Sequence, residues 1–266
     1  MKKIFFLFIT ALLLGCSEEP DDEHHIEDNR WSIVFHETII NDSYPVYKTE
    51  TFLFDRQQLI QHSVNQKALE SEINYEASLT YSDHKVDVLT EGITLSYILN
   101  DKGYATRCMY STASQKREYL FSYSAEDYLI QLNETIENKP YSITTFTYDD
   151  GDLTSVTSSL NGISNTIHYE PDENENYEYY IPCLGLLDTH PVTLHIEAVY
   201  AGLLGKSPRH LTAHTSPEGN DDEYTDYTYQ FDDKGIPTHI KSQTFYQGKS
   251  FDTYYPNLRN ISITIE

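Results

Sequence analysis

His210 and His214 stand four residues apart, with His190 and His195 upstream. On a helix, two imidazoles at that spacing can share a metal ion, and a Glu between them would complete a metalloprotease pattern. That Glu is missing, and Pro208 and Thr212 argue against a helix, so ordinary polar histidines are expected. Gly202-Leu-Leu-Gly205-Lys206-Ser207 ends like a phosphate loop. The loop needs four residues between its first glycine and Gly-Lys, and here Tyr200 occupies that first position. No G-x-S-x-G nucleophile elbow occurs. The acidic runs EPDENENYEYY (170–180) and PEGNDDEYTD (217–226) carry oxygen ligands of the kind Ca²⁺ takes, without the residue order of a Ca²⁺ loop. Asp149-Asp150-Gly151-Asp152 is better explained as a turn. No catalytic motif emerges, no cofactor or metal is implied, and the carboxylates are too many to single out a general acid–base pair.

Tyrosine is the most distinctive residue, with 23 copies. Its ring suits half-buried sheet faces, which is the ordinary explanation. An exposed row of Tyr177, Tyr179, Tyr180, Tyr224, Tyr227 and Tyr229 would instead offer flat surfaces for stacking on sugar rings, and these six are the candidate ligand-binding residues. Of the three cysteines, Cys108 lies in an expected strand and Cys183 in a less regular stretch. A disulfide between them is open in an oxidising compartment, as is a plain core role for Cys108.

Cys16 has a different expectation. The chain opens MKKIFFLFITALLLGC, with Lys2 and Lys3 ahead of the apolar run Ile4–Leu14. That run is too short to span a bilayer and reads as a secretory signal over residues 1–15. Leu13-Leu14-Gly15-Cys16 matches the lipobox of bacterial lipoproteins, where the thiol takes the lipid, so Cys16 is the expected lipidation site. An ordinary cleaved signal with a chance cysteine is the alternative. Residues 16–30 then form an acidic tether of low hydrophobicity.

What must position these groups is a repeat. Thr144–Ser159, TTFTYDDGDLTSVTSS, reads strand, tight turn, strand. Five other stretches share its order: 50–64, 77–91, 95–110, 119–134 and 227–243. Each has an apolar anchor (Phe54, Tyr81, Leu99, Tyr123, Tyr148, Phe231) followed by Asp, Asn or Ser (Asp55, Ser82, Asn100, Ser124, Asp149, Asp232). Those short polar side chains bond the backbone two residues on and start turns. Gly103, Gly151 and Gly235 suit a position of positive φ, and Gln58, Lys85 and Asp127 replace glycine in the other copies, which implies looser or strained turns. Steady strand spacing from Trp31 to about residue 169 predicts an all-β fold. The expected architecture is an antiparallel up-and-down meander of β-hairpins, curled or closed into a barrel-like sheet, in one domain over 31–266. The alternation breaks at Glu170, and Ile181–Lys206 reads as a short helical or irregular insertion, a plug or lid, or else a poorly patterned strand pair. Ile261–Ile265 is a final strand able to pair with the first and remove the exposed edges. Most runs look shorter than the roughly 9–11 residues of a membrane-spanning strand.

"FTYDDGDLTSVT" and "YQFDDKGIPTHI" resemble YD-type (Rhs-like) repeats, the tandem hairpins of bacterial surface proteins. The whole chain resembles a family of Bacteroidota lipoproteins of unknown function. The resemblance implies a porin-like or barrel-like sheet interrupted by an "AGLLGK" segment, here Ala201–Lys206, and brings no catalytic residues. The acidic residues behind Cys16 resemble the export signal that sends such lipoproteins to the outer face of the outer membrane; the periplasmic face is the alternative.

Removing Lys2 and Lys3 with the signal takes 18 Lys plus Arg to 16, against 42 Asp plus Glu, a formal charge of −26. Such a field argues against a nucleic-acid partner. The expected protein is therefore a lipid-anchored, non-enzymatic binding or scaffold module of the cell surface, with a glycan or protein partner. A carrier of an apolar ligand, lidded by 181–206, is the second reading, and a glycan-active enzyme the third.

Overall fold

Alternation along each strand decides the architecture, because successive side chains point to opposite faces of a sheet. The computed structural model describes residues 29–40, 45–112, 115–175, 195–246, 249–250 and 258–266. Fifteen strands follow in sequence: β1 (Arg30–Ile40), β2 (Val46–Asp55), β3 (Gln58–Ala68), β4 (Ser71–Ser82), β5 (Lys85–Thr90), β6 (Ile93–Leu99), β7 (Ala105–Ser111), β8 (Lys116–Tyr123), β9 (Leu129–Ile136), β10 (Lys139–Asp149), β11 (Asp152–Leu160), β12 (Ile163–Glu175), β13 (His210–Pro217), β14 (Glu223–Phe231) and β15 (Pro237–Tyr246). The two-residue β16 (Lys249–Ser250) and β17 (Leu258–Ile265) follow, and among the described residues one helix, α1 (Ile196–Tyr200), lies between β12 and β13. From β1 to β15 each strand pairs antiparallel with the next, and β16 pairs with the end of β15. β17 pairs with both β15 and β1, and so closes a barrel of 16 strands. The expected meander and its closure by the last strand are both present.

The six repeat turns all fall at one rim, because alternate hairpins of an up-and-down barrel share an end. In three of them the hydrogen bonds are the same. The side chain of Asn100, Ser124 or Asp232 accepts the backbone N–H two and four residues on, and its carbonyl accepts the N–H three residues on. Five of the six hairpins carry a register shift beside the turn; β4–β5 is regular. Gly103, Gly151 and Gly235 take φ of 84°, 89° and 80°, as expected. Asp127 takes φ of 76° in place of glycine, but in the copies holding Gln58 and Lys85 the left-handed residue is Arg56 or His84 instead.

A barrel of 16 strands is too wide for wall side chains alone to fill. Here α1 and the residues after it fill the half nearest the repeat rim. Glu197, Ala198, Val199 and Tyr200 of the helix are buried, as are Leu203 and Leu204. They pack against wall residues including Phe35, Phe52, Tyr97, Phe121 and Val156. Tyr200 stacks on Phe52 with centroids 3.7 Å apart, and the Leu203 carbonyl accepts the Ala105 N–H. The described part of the expected insertion is thus helical and internal. Residues 176–194 lie outside the described residues, and with them the rest of that insertion.

The outer face is mainly polar. β4 exposes Glu72, Asn74, Glu76, Ser78 and Thr80, and hydroxyls pair across strands at Thr157–Thr166 and Ser159–Ser164. Exposed Leu89, Leu120 and Ile143 each stand between polar cross-strand partners: Ser78 and Thr94, Arg107 and Asn133, and Asn133 and Ser159.

Three expectations need correction. The meander does not break at Glu170, since β12 runs to Glu175 against β13, with register shifts either side of Pro171. The second acidic loop is short, because β13 runs to Pro217 and β14 begins at Glu223. Strand length does not separate this wall from a spanning barrel either: β1, β3 and β10 have 11 residues, β4 has 12 and β12 has 13.

Candidate functional site

The loop 201–207 leaves α1 and crosses the repeat rim between two depressions. The first holds about 270 Å³ and is lined by Trp31, Phe54, Tyr104, Tyr200, Lys206 and Ser207, among others. Trp31 stacks on Phe54 at 4.2 Å and 9° between planes, and its indole N–H donates to the Arg56 carbonyl. That bond fixes the ring of a half-buried aromatic whose floor is already packed. Tyr104 leans on Tyr123 at 5.5 Å, and the Tyr123 hydroxyl donates to the Ala105 carbonyl at 2.6 Å. The second depression, about 590 Å³, is lined by Tyr128, Tyr148, Glu126, Asp150 and again Lys206. Tyr128 and Tyr148 stack at 4.8 Å.

Two backbone features hold this loop down. At Gly205 (φ 83°), an added Cβ would lie 2.5 Å from the Asp127 carbonyl oxygen and 3.0 Å from the Tyr123 ring. Only glycine lets the backbone approach that closely while taking a left-handed conformation. The next N–H, that of Lys206, donates to the same Asp127 carbonyl at 2.9 Å.

Below the rim a buried charge chain ties the helix to the wall. His62 is 2% exposed and Glu197 4%. His62 Nδ1 donates to Glu197 Oε1 at 2.8 Å, and Nε2 donates to Glu50 Oε1 at 2.9 Å. The Tyr75 hydroxyl also donates to Glu197 Oε1, at 2.7 Å, and Lys48 pairs with Glu50. Both imidazole nitrogens can donate at once only in the charged ring. Burial acts to lower the His62 pKa, but the hydrogen bonds and charges of Glu197 and Glu50 outweigh it and leave it raised. Burial acts to raise Glu50 and Glu197; the bond to His62, the charges around it, and Lys48 or Tyr75 respectively leave both lowered. Further salt links, Arg259–Glu37 and Arg117–Glu134, line the interior farther from the repeat turns.

The predicted site residues are scattered. Tyr177, Tyr179, Tyr180, Cys16, His190 and Cys183 lie outside the described residues. Tyr224 stacks between His214 (5.2 Å) and Phe245 (4.8 Å). Tyr227 and Tyr229 differ from it by odd steps and point to the other face, where their cross-strand partners Ser242 and Ile240 are buried. Tyr229 donates its hydroxyl to the Thr212 carbonyl at 2.6 Å. The described members therefore do not form one exposed row, because strand parity divides them. His210 and His214 sit on strand β13, not a helix, about 13 Å apart at the usual rise. Each pairs with its own carboxylate, Asp152 at 2.9 Å and Asp226 at 2.7 Å. Among the described residues no group of three possible metal ligands converges. His195 is buried against Tyr97, whose hydroxyl lies 2.8 Å from its Nδ1. Cys108 is a free thiol that burial pushes up to about 12, which makes it inert.

Sequence reasoning missed Trp31, Tyr104, Glu50, His62 and Glu197. Trp31 carried a signal, as the only tryptophan of the chain at a strand start. The charge chain carried none, since the bonded partners His62 and Glu197 stand 135 residues apart.

No curated protein matches the chain. A crystal structure of a porin-like protein from Bacteroides uniformis is similar: 29% identity, a TM-score of 0.77, and coverage of 88% of this chain and 97% of that one. The family described as a domain of unknown function (DUF4595) with porin-like fold matches residues 53–239, which contain β3 to β14 whole. The chain, with its closed wall of hairpins, belongs to that family.

Proposed function

We propose that this protein is a lipoprotein anchored through Cys16, facing the cell exterior, whose barrel binds a glycan at its repeat rim without chemistry on it. The hairpins are read as YD-type repeats; the shared turn hydrogen bonds at Asn100, Ser124 and Asp232 support this. A mainly polar outer wall suits a domain held in water by a tether rather than one held in lipid. The Asn29 carbonyl accepts the Arg56 N–H in a repeat turn, which supports a tether over 16–30 that meets the barrel at the rim carrying the aromatic depression.

The observation that carries the reading is the pocket of Trp31, Tyr104 and Tyr200 beside Lys206 and Ser207. Concave sites with fixed aromatic faces and a few polar groups suit a sugar ring, which has one apolar face and a polar edge. The carrier reading is less well supported: α1, Leu203 and Leu204 occupy the apolar half of the interior, where an apolar ligand would have to go. The test is glycan binding by the full chain and by Trp31→Ala and Tyr104→Ala variants, measured by calorimetry against a panel of neutral oligosaccharides. A panel member that binds the parent and loses most of its affinity in both variants supports the reading. Binding unchanged by either substitution, or turnover of the oligosaccharide, contradicts it.

A further inference from the structure

The outer wall holds a second concave feature at the seam where the chain closes on itself. It has a volume of about 290 Å³ and crosses β14, β15, β17 and β1. Register places its outward residues in two adjacent rows. One row reads His36, Ser262, His239, Gln230; the next reads Thr38, Asn260, Lys241, Thr228. The first row continues onto Thr49 and the second onto Tyr47, both on β2.

No carboxylate occurs in either row. In a chain with a formal charge of −24 that is a departure from the rest of the surface. The two histidines stand two strands apart, roughly 10 Å at ordinary strand spacing, with Ser262 between them and Lys241 one row over. His36 Nδ1 lies 3.2 Å from the Thr49 hydroxyl and His239 Nδ1 lies 3.2 Å from the Thr238 hydroxyl. Those contacts orient the two rings. Asp226, the next outward residue along β14, bonds His214 and belongs to another cluster. At the border Tyr47 is 56% exposed, an aromatic ring on the surface beside groups rich in hydrogen-bond donors.

We infer that this seam groove binds an acidic saccharide. Lys241, His36 and His239 face the acid group; Ser262, Asn260, Thr38, Thr228 and Gln230 bond the hydroxyls; Tyr47 stacks on a ring. A lone ammonium recognises charge only, whereas hydroxyl and amide partners in register recognise a polyol that carries the charge. The site is separate from the rim depression and does not rest on the rim reading.

The test is calorimetric titration of the full-length chain at mildly acidic pH. The probe is trigalacturonate, with its methyl ester as the uncharged control. The expected result is binding of the acid about tenfold or more tighter than of the ester. A similar loss follows Lys241→Gln combined with His239→Gln, at unchanged melting temperature, and a smaller loss follows Tyr47→Ala. Trp31→Ala leaves trigalacturonate binding unchanged, so failure here and failure at the rim are told apart. Equal binding of acid and ester, full binding by the double variant, or no binding of the acid overturns the inference. Displacement by inorganic phosphate at the same concentration also overturns it, since that would mark a bare anion site with no use for the sugar.

Discussion

Glu197 is the residue on which the wall and its filling meet. It sits on a five-residue helix and is bonded by His62 from β3 and Tyr75 from β4. Removing one partner of a buried, hydrogen-bonded ion pair leaves the other charge stranded, which costs about 3–5 kcal/mol. Glu197→Ala is expected to lower unfolding stability in urea by about that amount. The pH dependence has a definite sign. Stability from the raised His62 pKa is full below its ordinary 6.5 and falls away as pH rises through the raised value. Stability from the lowered Glu50 and Glu197 is full above their ordinary 4.5 and falls away as pH drops through the lowered values. Midpoints of urea unfolding should therefore hold a plateau from pH 4.5 to 6.5 and decline on both sides. His62→Gln should remove most of the alkaline decline, and an unchanged profile would mean that the chain is not coupled to folding. None of this was legible in the sequence. His62 lies in the polar run QHSVNQ, and the glutamate it needs is brought to it only by closure of the barrel.

At the level of elements, the turns were readable and the irregular strands were not. Anchor and short polar residue recur in one order in all six copies, and three of the turns, at Asn100, Ser124 and Asp232, close with the same hydrogen bonds. Asp127 takes the left-handed position in place of glycine, but in the two shorter turns holding Gln58 and Lys85 the left-handed residue shifts to Arg56 or His84, because the turn length changes and takes the strained position with it. Pro171 and the acidic run behind it read as a loop. Pro171 to Glu175 lie instead in a strand whose register shifts leave room for a residue without an N–H. β13 was hidden because it follows the insertion and carries histidines and threonines in place of a clean apolar face. The loop that caps the filling gives a paired test. Gly202 and Gly205 both have positive φ, 70° and 83°, but an added Cβ meets nothing at Gly202 and strikes the Asp127 carbonyl at Gly205. Gly202→Ala is expected to cost about 1–2 kcal/mol, the usual penalty of a left-handed residue with a Cβ. Gly205→Ala should cost clearly more and disturb the neighbouring Tyr123 ring, seen as a shift of its aromatic NMR signals. Equal costs would mean that the close approach at residue 205 is relieved elsewhere.

For the whole molecule, a porin-like outline has its polarity turned inside out. A spanning barrel presents an apolar band to lipid and a polar interior to water. Here Thr, Ser, Asn and Glu cover much of the outside, and Phe, Tyr, Leu and Val crowd the half of the interior around α1. The sequence already held this in its alternation, but not which parity faced inward; closure and the buried helix decide that. Detergent phase separation of two forms, the full chain made in cells that attach lipid and a form starting at Ser17, distinguishes a tethered domain from a wall held in lipid. The first form is expected in the detergent phase and the second in the aqueous phase, folded and still strand-rich by circular dichroism. A folded form without residues 1–16 that still enters the detergent phase would mean that the wall itself faces lipid, and the tethered binding module would have to be abandoned.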